Sequence, residues 1–82
     1  MSNVIFDPER WESVEAGHEA LIERWLVTEG DYVHAGQALA QAMLVHENVA
    51  VEAPHDGVLE QIVVAAGEHF GRGDVLARLI DV

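Results

Sequence analysis

The side chains that could do chemistry in this chain are few and widely spaced. The 82 residues contain no cysteine, two serines and five histidines: His18, His34, His46, His55 and His69. No two of these histidines stand three to five residues apart, the spacing at which zinc sites commonly hold paired ligands, and thiolate ligands are absent. We therefore expect no metal site. One alternative stays open, a weak site formed by His18, His46 and Glu47 if the fold brings them together.

Catalysis by a nucleophile is not predicted either. Ser2 and Ser13 lie outside any G-x-S-x-G elbow, and neither has a local histidine partner. The glycines fall at turn positions and do not form a phosphate-binding loop. A domain of this size also offers little concave volume for a substrate. We expect that the chain is not an enzyme.

The net charge of the chain limits the classes of molecule that it can bind. The chain has 15 acidic residues and four arginines but no lysine, which gives a formal net charge of −11. Phosphate backbones and anionic lipids repel such a chain, so we expect no nucleic acid and no membrane partner. A protein partner with a basic surface fits this charge better. The acids Glu9, Glu12, Glu15 and Glu19 are most simply a solvated face.

The amino-terminal sequence does not resemble a signal peptide. It lacks a basic flank followed by a long apolar stretch. The longest apolar runs, near residues 62–66, are far too short to span a bilayer. These features predict a cytoplasmic protein.

A repeat with a spacing of 37 residues dominates the organisation of the chain. Residues 22–43 (IERWLVTEGDYVHAGQALAQAM) align without a gap on residues 59–80 (LEQIVVAAGEHFGRGDVLARLI). Six of the 22 aligned pairs are identical: Glu23/Glu60, Val27/Val64, Gly30/Gly67, Gly36/Gly73, Leu39/Leu76 and Ala40/Ala77. Arrays of like units need about three copies to bury a continuous core. Two copies that nearly fill the chain instead predict one domain, residues 1–82, with a pseudo-twofold axis.

Each copy reads as strand, glycine turn and strand. Branched and aromatic residues predict strands at 21–27 and 58–64, 38–45 and 75–80, and 49–53, with very short strands around Val33 and Phe70. Residues 4–6 are a candidate edge strand, residues 54–57 a turn, and residues 8–20 a long loop. The predicted class is all-β, with small antiparallel sheets packed face to face.

The ordered set of these motifs resembles a known family. The stretch ERWLVTEGDYVHAGQAL, followed by VEAPHDGVLEQIVVAAGEHFGRGDVLARL, is similar to lipoyl- and biotinyl-carrier domains. Trp25, which precedes the triplet EGD, makes the resemblance closer to the lipoyl domains of 2-oxoacid dehydrogenase acyltransferases than to biotinyl domains. The resemblance covers residues 4–80. It implies a flattened barrel of two small sheets related by a twofold axis.

The resemblance also implies a cofactor position, which His46 occupies. In the family, a lysine at a hairpin tip, eight residues before the proline of an A-P-x-x-G turn, carries the lipoyl or biotinyl group; here that proline is Pro54. Both modifications form an amide on an ε-amino group, and an imidazole cannot form that stable amide. Lipoyl domains have an acid, a threonine and an aspartate before the lysine, where this chain has Met43, Leu44 and Val45. We expect no covalent cofactor.

The two tryptophans receive different interpretations. Trp25 lies within a predicted strand opposite Ile62 of the second copy, so we expect it to pack in the core. Trp11 lies in the long loop, which in the family borders the modified hairpin. Either Trp11 packs against the domain or it is exposed and faces a partner.

Three functions stay open at this level. The first is a lipoyl-domain-like protein without a covalent cofactor, acting as a protein-interaction or regulatory module linked to a 2-oxoacid dehydrogenase or related acyl-transfer system. The second is a carrier of another cargo, a metal or a phosphoryl group, through His46. The third is a structural subunit of an assembly. We favour the first, because a strongly negative surface suits fast docking onto basic patches of dehydrogenase or acyltransferase components.

Overall fold

The protein is all-β, as predicted, in a computed structural model that describes residues 2–12, 14 and 17–81. Within this range the strands are β1 Ser2–Ile5, β2 Ala20–Trp25, β3 Tyr32–Val33, β4 Ala38–Leu44, β5 Glu47–Glu52, β6 Gly57–Ile62, β7 His69–Phe70 and β8 Val75–Ile80. A 3₁₀ helix, Pro8–Trp11, lies between β1 and β2. No helix in the described part of the chain is long and apolar enough to cross a membrane.

Two antiparallel sheets of four strands enclose the core. Their strand orders are β1-β8-β6-β3 and β5-β4-β2-β7. Inward side chains of both sheets are fully buried, and the largest of them are Phe70, Ile22, Leu39, Leu59, Leu76, Leu79, Val4, Val33 and Val51. Burial of one such side chain is worth about 1.5–3 kcal/mol. The core therefore draws on both copies of the repeat, with three of these residues from the first copy and four from the second, and on the outer strands β1 and β5.

The hydrogen bonds repeat with the same 37-residue spacing as the sequence. Gly30 N–H donates to the carbonyl oxygen of Leu59 at 2.7 Å, and Gly67 N–H donates to that of Ile22 at 2.7 Å. Both glycines have a positive φ, 98° and 89°, which side chains with a Cβ rarely adopt. The β2–β4 and β6–β8 ladders also carry a bulge at the same place, directly after Ile22 and Leu59. The backbone pairing thus has the pseudo-twofold relation expected from the repeat.

The outer strands β1 and β5 also correspond to each other, although they lie outside the repeated segments. Val4 of β1 pairs with Ala77, and Val51 of β5 pairs with Ala40, which is 37 residues before Ala77. Both ladders shift register immediately after these pairs. In the first half a two-residue turn joins β4 to β5, whereas the equivalent strands of the second half, β8 and β1, are not consecutive along the chain.

The predicted strands are found, with ends that differ from the prediction by at most two residues. The apolar runs of the first strand of each copy continue past the strand itself, because Val27 and Val64 still pack against the core after the ladder ends. Residues 8–20 are not loop throughout. They begin with the 3₁₀ helix. Asp7 caps its first turn, because the Asp7 side chain accepts a hydrogen bond from Glu9 N–H at 2.9 Å.

Trp11 is buried, so the alternative of an exposed, partner-facing Trp11 is wrong. Only 3% of its surface is exposed, and its ring lies edge-on to Phe6 and Phe70 at centroid distances of 5.8 and 6.1 Å. Arg72 lies over the ring with its guanidinium carbon 5.9 Å from the centroid. One Arg72 nitrogen donates to the Trp11 carbonyl oxygen at 2.8 Å and also to that of Val14. These contacts fasten the start of the long loop to the second copy of the repeat.

Trp25 packs against the core, as predicted. Its ring is half-buried, and its indole N–H donates to the carbonyl oxygen of Val64 at 2.9 Å. This bond crosses from the first copy to the second. The indole N–H of Trp11, in contrast, is buried without a hydrogen-bond partner among the described residues.

Candidate functional site

The β4–β5 hairpin ends in a two-residue turn made by Val45 and His46. Leu44 and Glu47 form the last pair of the ladder, which leaves these two residues to reverse the chain. Their φ angles are both positive, 51° for Val45 and 80° for His46. Positive φ at both central residues is the pattern of a type I′ turn, which suits the twist of antiparallel strands. The fold therefore presents His46, an exposed residue, at the tip that the family resemblance assigns to the modified lysine.

Val45 is poorly suited to its position in this turn. A side chain branched at Cβ clashes with the backbone at positive φ, and the left-handed conformation costs about 1–2 kcal/mol for an L-residue. Val45 is 46% exposed, so burial of its methyl groups does not offset this cost. The backbone of the tip is therefore strained at the residue that precedes His46.

A groove runs between the hairpin and the long loop. Its volume is about 560 Å³. The hairpin side is formed by Leu44, Val45, Glu47 and Val49, and the loop side by Glu9, Arg10, Val14 and His18. The loop thus borders the tip, as the family resemblance implied. The groove mixes apolar residues with charged groups, which makes it suited to a peptide or side chain of a partner protein.

The histidines do not assemble a metal centre. Within the described ranges, no group of three or more histidine, aspartate or glutamate side chains is placed to hold a metal ion. His18 and Glu47 line the same groove, but they and His46 do not form such a group. The alternative of a three-ligand site at the tip is therefore wrong.

The fold brings together one pair of polar groups that the sequence does not reveal. His55 Nε2 lies 2.6 Å from the hydroxyl oxygen of Ser2, and Nδ1 lies 2.7 Å from the carbonyl oxygen of Asp56. A carbonyl oxygen only accepts, so Nδ1 carries the proton, and in the neutral ring Nε2 accepts from the serine hydroxyl. Asp81 lies 3.4 Å from Nε2. The pair joins β1 to the turn after β5, and its separation of 53 residues left no local signal in the sequence.

Carboxylates outnumber cations near the tip. Ion pairs in the described chain join histidines to aspartates, as at His34 and Asp56, 3.9 Å apart. Arg24 and Arg72 instead donate to amide and backbone oxygens. Glu9 and Glu47 are exposed and line the groove together with one arginine, Arg10, so carboxylates outnumber cations there and the net charge of the groove lining is negative.

Comparison with known proteins agrees with this geometry. The family model Biotin_lipoyl, described as biotin-requiring enzyme, matches residues 8–79. No curated protein sequence matches the chain. Among solved structures, it is similar to the lipoyl domain of the 2-oxoglutarate dehydrogenase complex from Azotobacter vinelandii, with a TM-score of 0.75, 21% identity and 98% of each chain covered. This likeness confirms the flattened two-sheet fold. Because the family model matches most of its length, the chain belongs to the biotinyl- and lipoyl-domain family.

Proposed function

We propose that this chain is a lipoyl-domain-like protein that carries no covalent cofactor and acts as a protein-interaction or regulatory module. Its partner is a component of a 2-oxoacid dehydrogenase or a related acyl-transfer system. The module itself does not catalyse a reaction. The observation that supports this most directly is the replacement of the family's lysine by His46 at an exposed tip whose fold is otherwise retained.

Amide chemistry supports the absence of a cofactor. The lipoyl and biotinyl groups are attached through an ε-amino group, and none occurs in these 82 residues. An imidazole nitrogen does not replace it, because an acyl imidazole is readily hydrolysed in water. The tip retains the position of the family's attachment point but not its nucleophile.

Charge and shape support a protein partner. The net charge is −11, and the groove beside the tip has acidic groups on both sides. The similar Azotobacter vinelandii domain belongs to a 2-oxoglutarate dehydrogenase complex, and a protein of the same shape suits a component that recognises such domains. Association with a basic surface would be fast and sensitive to salt, because screening over a Debye length of about 10 Å at 0.1 M weakens long-range attraction.

Intact mass tests the first half of the proposal. After expression with lipoate ligase or with biotin ligase, the mass should equal that of the unmodified chain, allowing for loss of the initiator methionine. The Azotobacter vinelandii lipoyl domain, treated in parallel, is the control that must gain one lipoyl group. A mass gain of either cofactor on this chain would contradict the proposal.

Binding tests the second half. We expect the chain to bind a purified 2-oxoacid dehydrogenase component in calorimetry, and to bind it at least about tenfold more weakly in 0.5 M than in 0.05 M salt. Unmodified lipoyl domain is the reference for affinity. No binding to any of the dehydrogenase or acyltransferase components, under conditions in which the reference binds, would refute the partner class.

A further inference from the structure

The sheet edges of this domain differ in how open they are. Strands β3 and β7 have two residues each, and β1 has four, with a register shift before its last residue. Strand β5 has six residues, and its pairing with β4 is regular from Val51 to Glu47. Among the described strands, β5 is therefore the longest edge with regular geometry. Proteins usually protect such edges, because an open edge pairs with another strand.

The backbone groups that β5 leaves unpaired can be assigned from the hairpin register. The closing pair of a two-residue turn, Leu44 and Glu47, is a hydrogen-bonded pair, and bonded pairs then alternate along the ladder. Asn48 and Ala50 consequently direct their N–H and C=O groups away from β4. Both residues are exposed, and neither backbone bonds to a described residue outside the sheet.

Open space runs along this edge. The groove of about 560 Å³ lies beside the tip end of β5, and a second cleft of about 210 Å³ lies beside its other end, next to Ala50 and Glu52. Arg10 borders both cavities. The 3₁₀ helix and the loop thus form the far wall of both cavities, and the edge of β5 forms their near wall; the two cavities together are called the channel. A channel of this kind accommodates an extended chain.

Charge decides which extended chain fits. Carboxylates stand on both walls, Glu9 and Glu47 at the tip end and Asp7 and Glu52 at the other end, with Arg10 as the single cation between them. A second copy of this protein would add another −11 charges and place its own Glu47 and Glu52 next to these carboxylates. Like charges on neighbouring strands are destabilising. An extended segment that alternates apolar and basic side chains matches the channel.

We propose that the outer edge of β5 is the docking site for an extended basic segment of a partner protein, which binds as an additional antiparallel or parallel strand. Main-chain hydrogen bonds to Asn48 and Ala50 hold the segment, and its lysines or arginines lie near Glu47 and Glu52. This inference rests on the proposed function, because it supplies the contact by which a basic partner binds.

Amide hydrogen exchange on the intact protein tests the inference directly. The probe is a nonapeptide of alternating valine and lysine, and its control carries glutamate in place of lysine. At saturating lysine peptide, exchange at the amides of Asn48 and Ala50 should slow by at least about tenfold, since both become hydrogen-bonded. Asn3, which pairs with Arg78 at the equivalent place on β1, should not change. Equal protection of Asn3, equal protection by the glutamate peptide, or no protection of Ala50 would overturn the proposal.

A matched pair of variants separates this inference from the proposed function. Ala50→Pro removes the outward N–H and is tolerated on a sheet edge, and Asn3→Pro does the same on β1. Ala50→Pro should weaken binding of the dehydrogenase component by at least about tenfold, whereas Asn3→Pro should not. Binding that is unaffected by a folded Ala50→Pro variant would overturn the edge site and leave the proposed function intact. If Ala50→Pro does not fold, the exchange result on the unaltered protein decides.

Discussion

The two halves of the sandwich share their hydrogen bonds, bulges and buried positions but differ in how their edge strands are connected. In the first half, β4 continues directly into β5 through the turn at Val45 and His46, whereas the equivalent strands β8 and β1 are not consecutive along the chain. The second difference lies in the connections that follow the edge strands. Residues 6–19 join β1 to β2, whereas only residues 53–56 join β5 to β6.

Both differences meet at one place. The hairpin tip and the long connection form the two walls of the 560 Å³ groove. The repeated parts of the molecule supply more than half of the buried core residues, and the parts that do not repeat surround the candidate site. Function in this domain is therefore best sought where the pseudo-twofold symmetry fails, and the following substitutions test that division.

The largest effect is expected in the shared core. Leu39 and Leu76 are equivalent in the repeat, and both are fully buried. Replacement of either by alanine should destabilise the protein by about 3 kcal/mol, from lost burial and the cavity that remains. Urea unfolding should give values for the two variants that agree within about 1 kcal/mol. Leu26→Ala, at an exposed position, is the control and should cost less than about 1 kcal/mol. A large difference between Leu39→Ala and Leu76→Ala would show that the halves do not share the core equally.

A smaller effect is expected at Arg72, which belongs to the second copy but holds the non-repeated loop. Arg72→Ala removes the contacts to the Trp11 ring and to the carbonyl oxygens of Trp11 and Val14. We expect a loss of about 1 kcal/mol and faster hydrogen exchange at the Val14 amide, which donates to Trp11. Arg78→Ala, at an exposed residue of β8, is the control and should leave the stability and the exchange rate of the Val14 amide unchanged. Unaltered exchange of the Val14 amide in Arg72→Ala would show that the position of the loop does not depend on Arg72.

The repeated parts of the fold could be predicted because their causes are local. The glycines at 30 and 67 lie in the turns that follow β2 and β6, where positive φ is required, and alternation of apolar residues marks the inward face of each strand. The spacing of the repeat then predicts how these pieces pair. Likewise His46 could be placed at the tip from the family motif alone.

The candidate site could be predicted only in part, because its causes are not local. The burial of Trp11 depends on Phe70 and Arg72, about 60 residues further along the chain. No periodicity signals such a contact. The positive φ of Val45 also contradicts the preference of a branched residue, since the two-residue connection between β4 and β5 imposes it. The channel beside β5 follows from the path of the loop, which residue type does not determine.

Relief of the strained turn should produce a gain in stability. Val45→Asn replaces a branched side chain by one that tolerates positive φ, so we expect stabilisation of about 1 kcal/mol. Thermal and urea unfolding measure it. Val63→Asn is the control, because Val63 is similarly exposed but has no positive φ, and this change should give no gain. Equal effects of the two substitutions would show that polarity, not backbone strain, is responsible.

The smallest effect on stability is expected at His46, where the question is one of chemistry. His46→Lys changes an exposed residue in the turn, so stability should stay within about 0.5 kcal/mol of the original. The new ε-amino group should nevertheless be lipoylated poorly, because lipoate ligase must also accept Val45, Glu47 and the acidic loop. Adding Val45→Asp restores the neighbour found in lipoyl domains and also suits the positive φ, so the double variant should be lipoylated further. Intact mass after incubation with lipoate ligase measures the lipoylated fraction of the single and the double variant.

Complete lipoylation of His46→Lys alone would show that the neighbours of the tip do not matter. No lipoylation of a folded double variant would identify the long loop as the barrier.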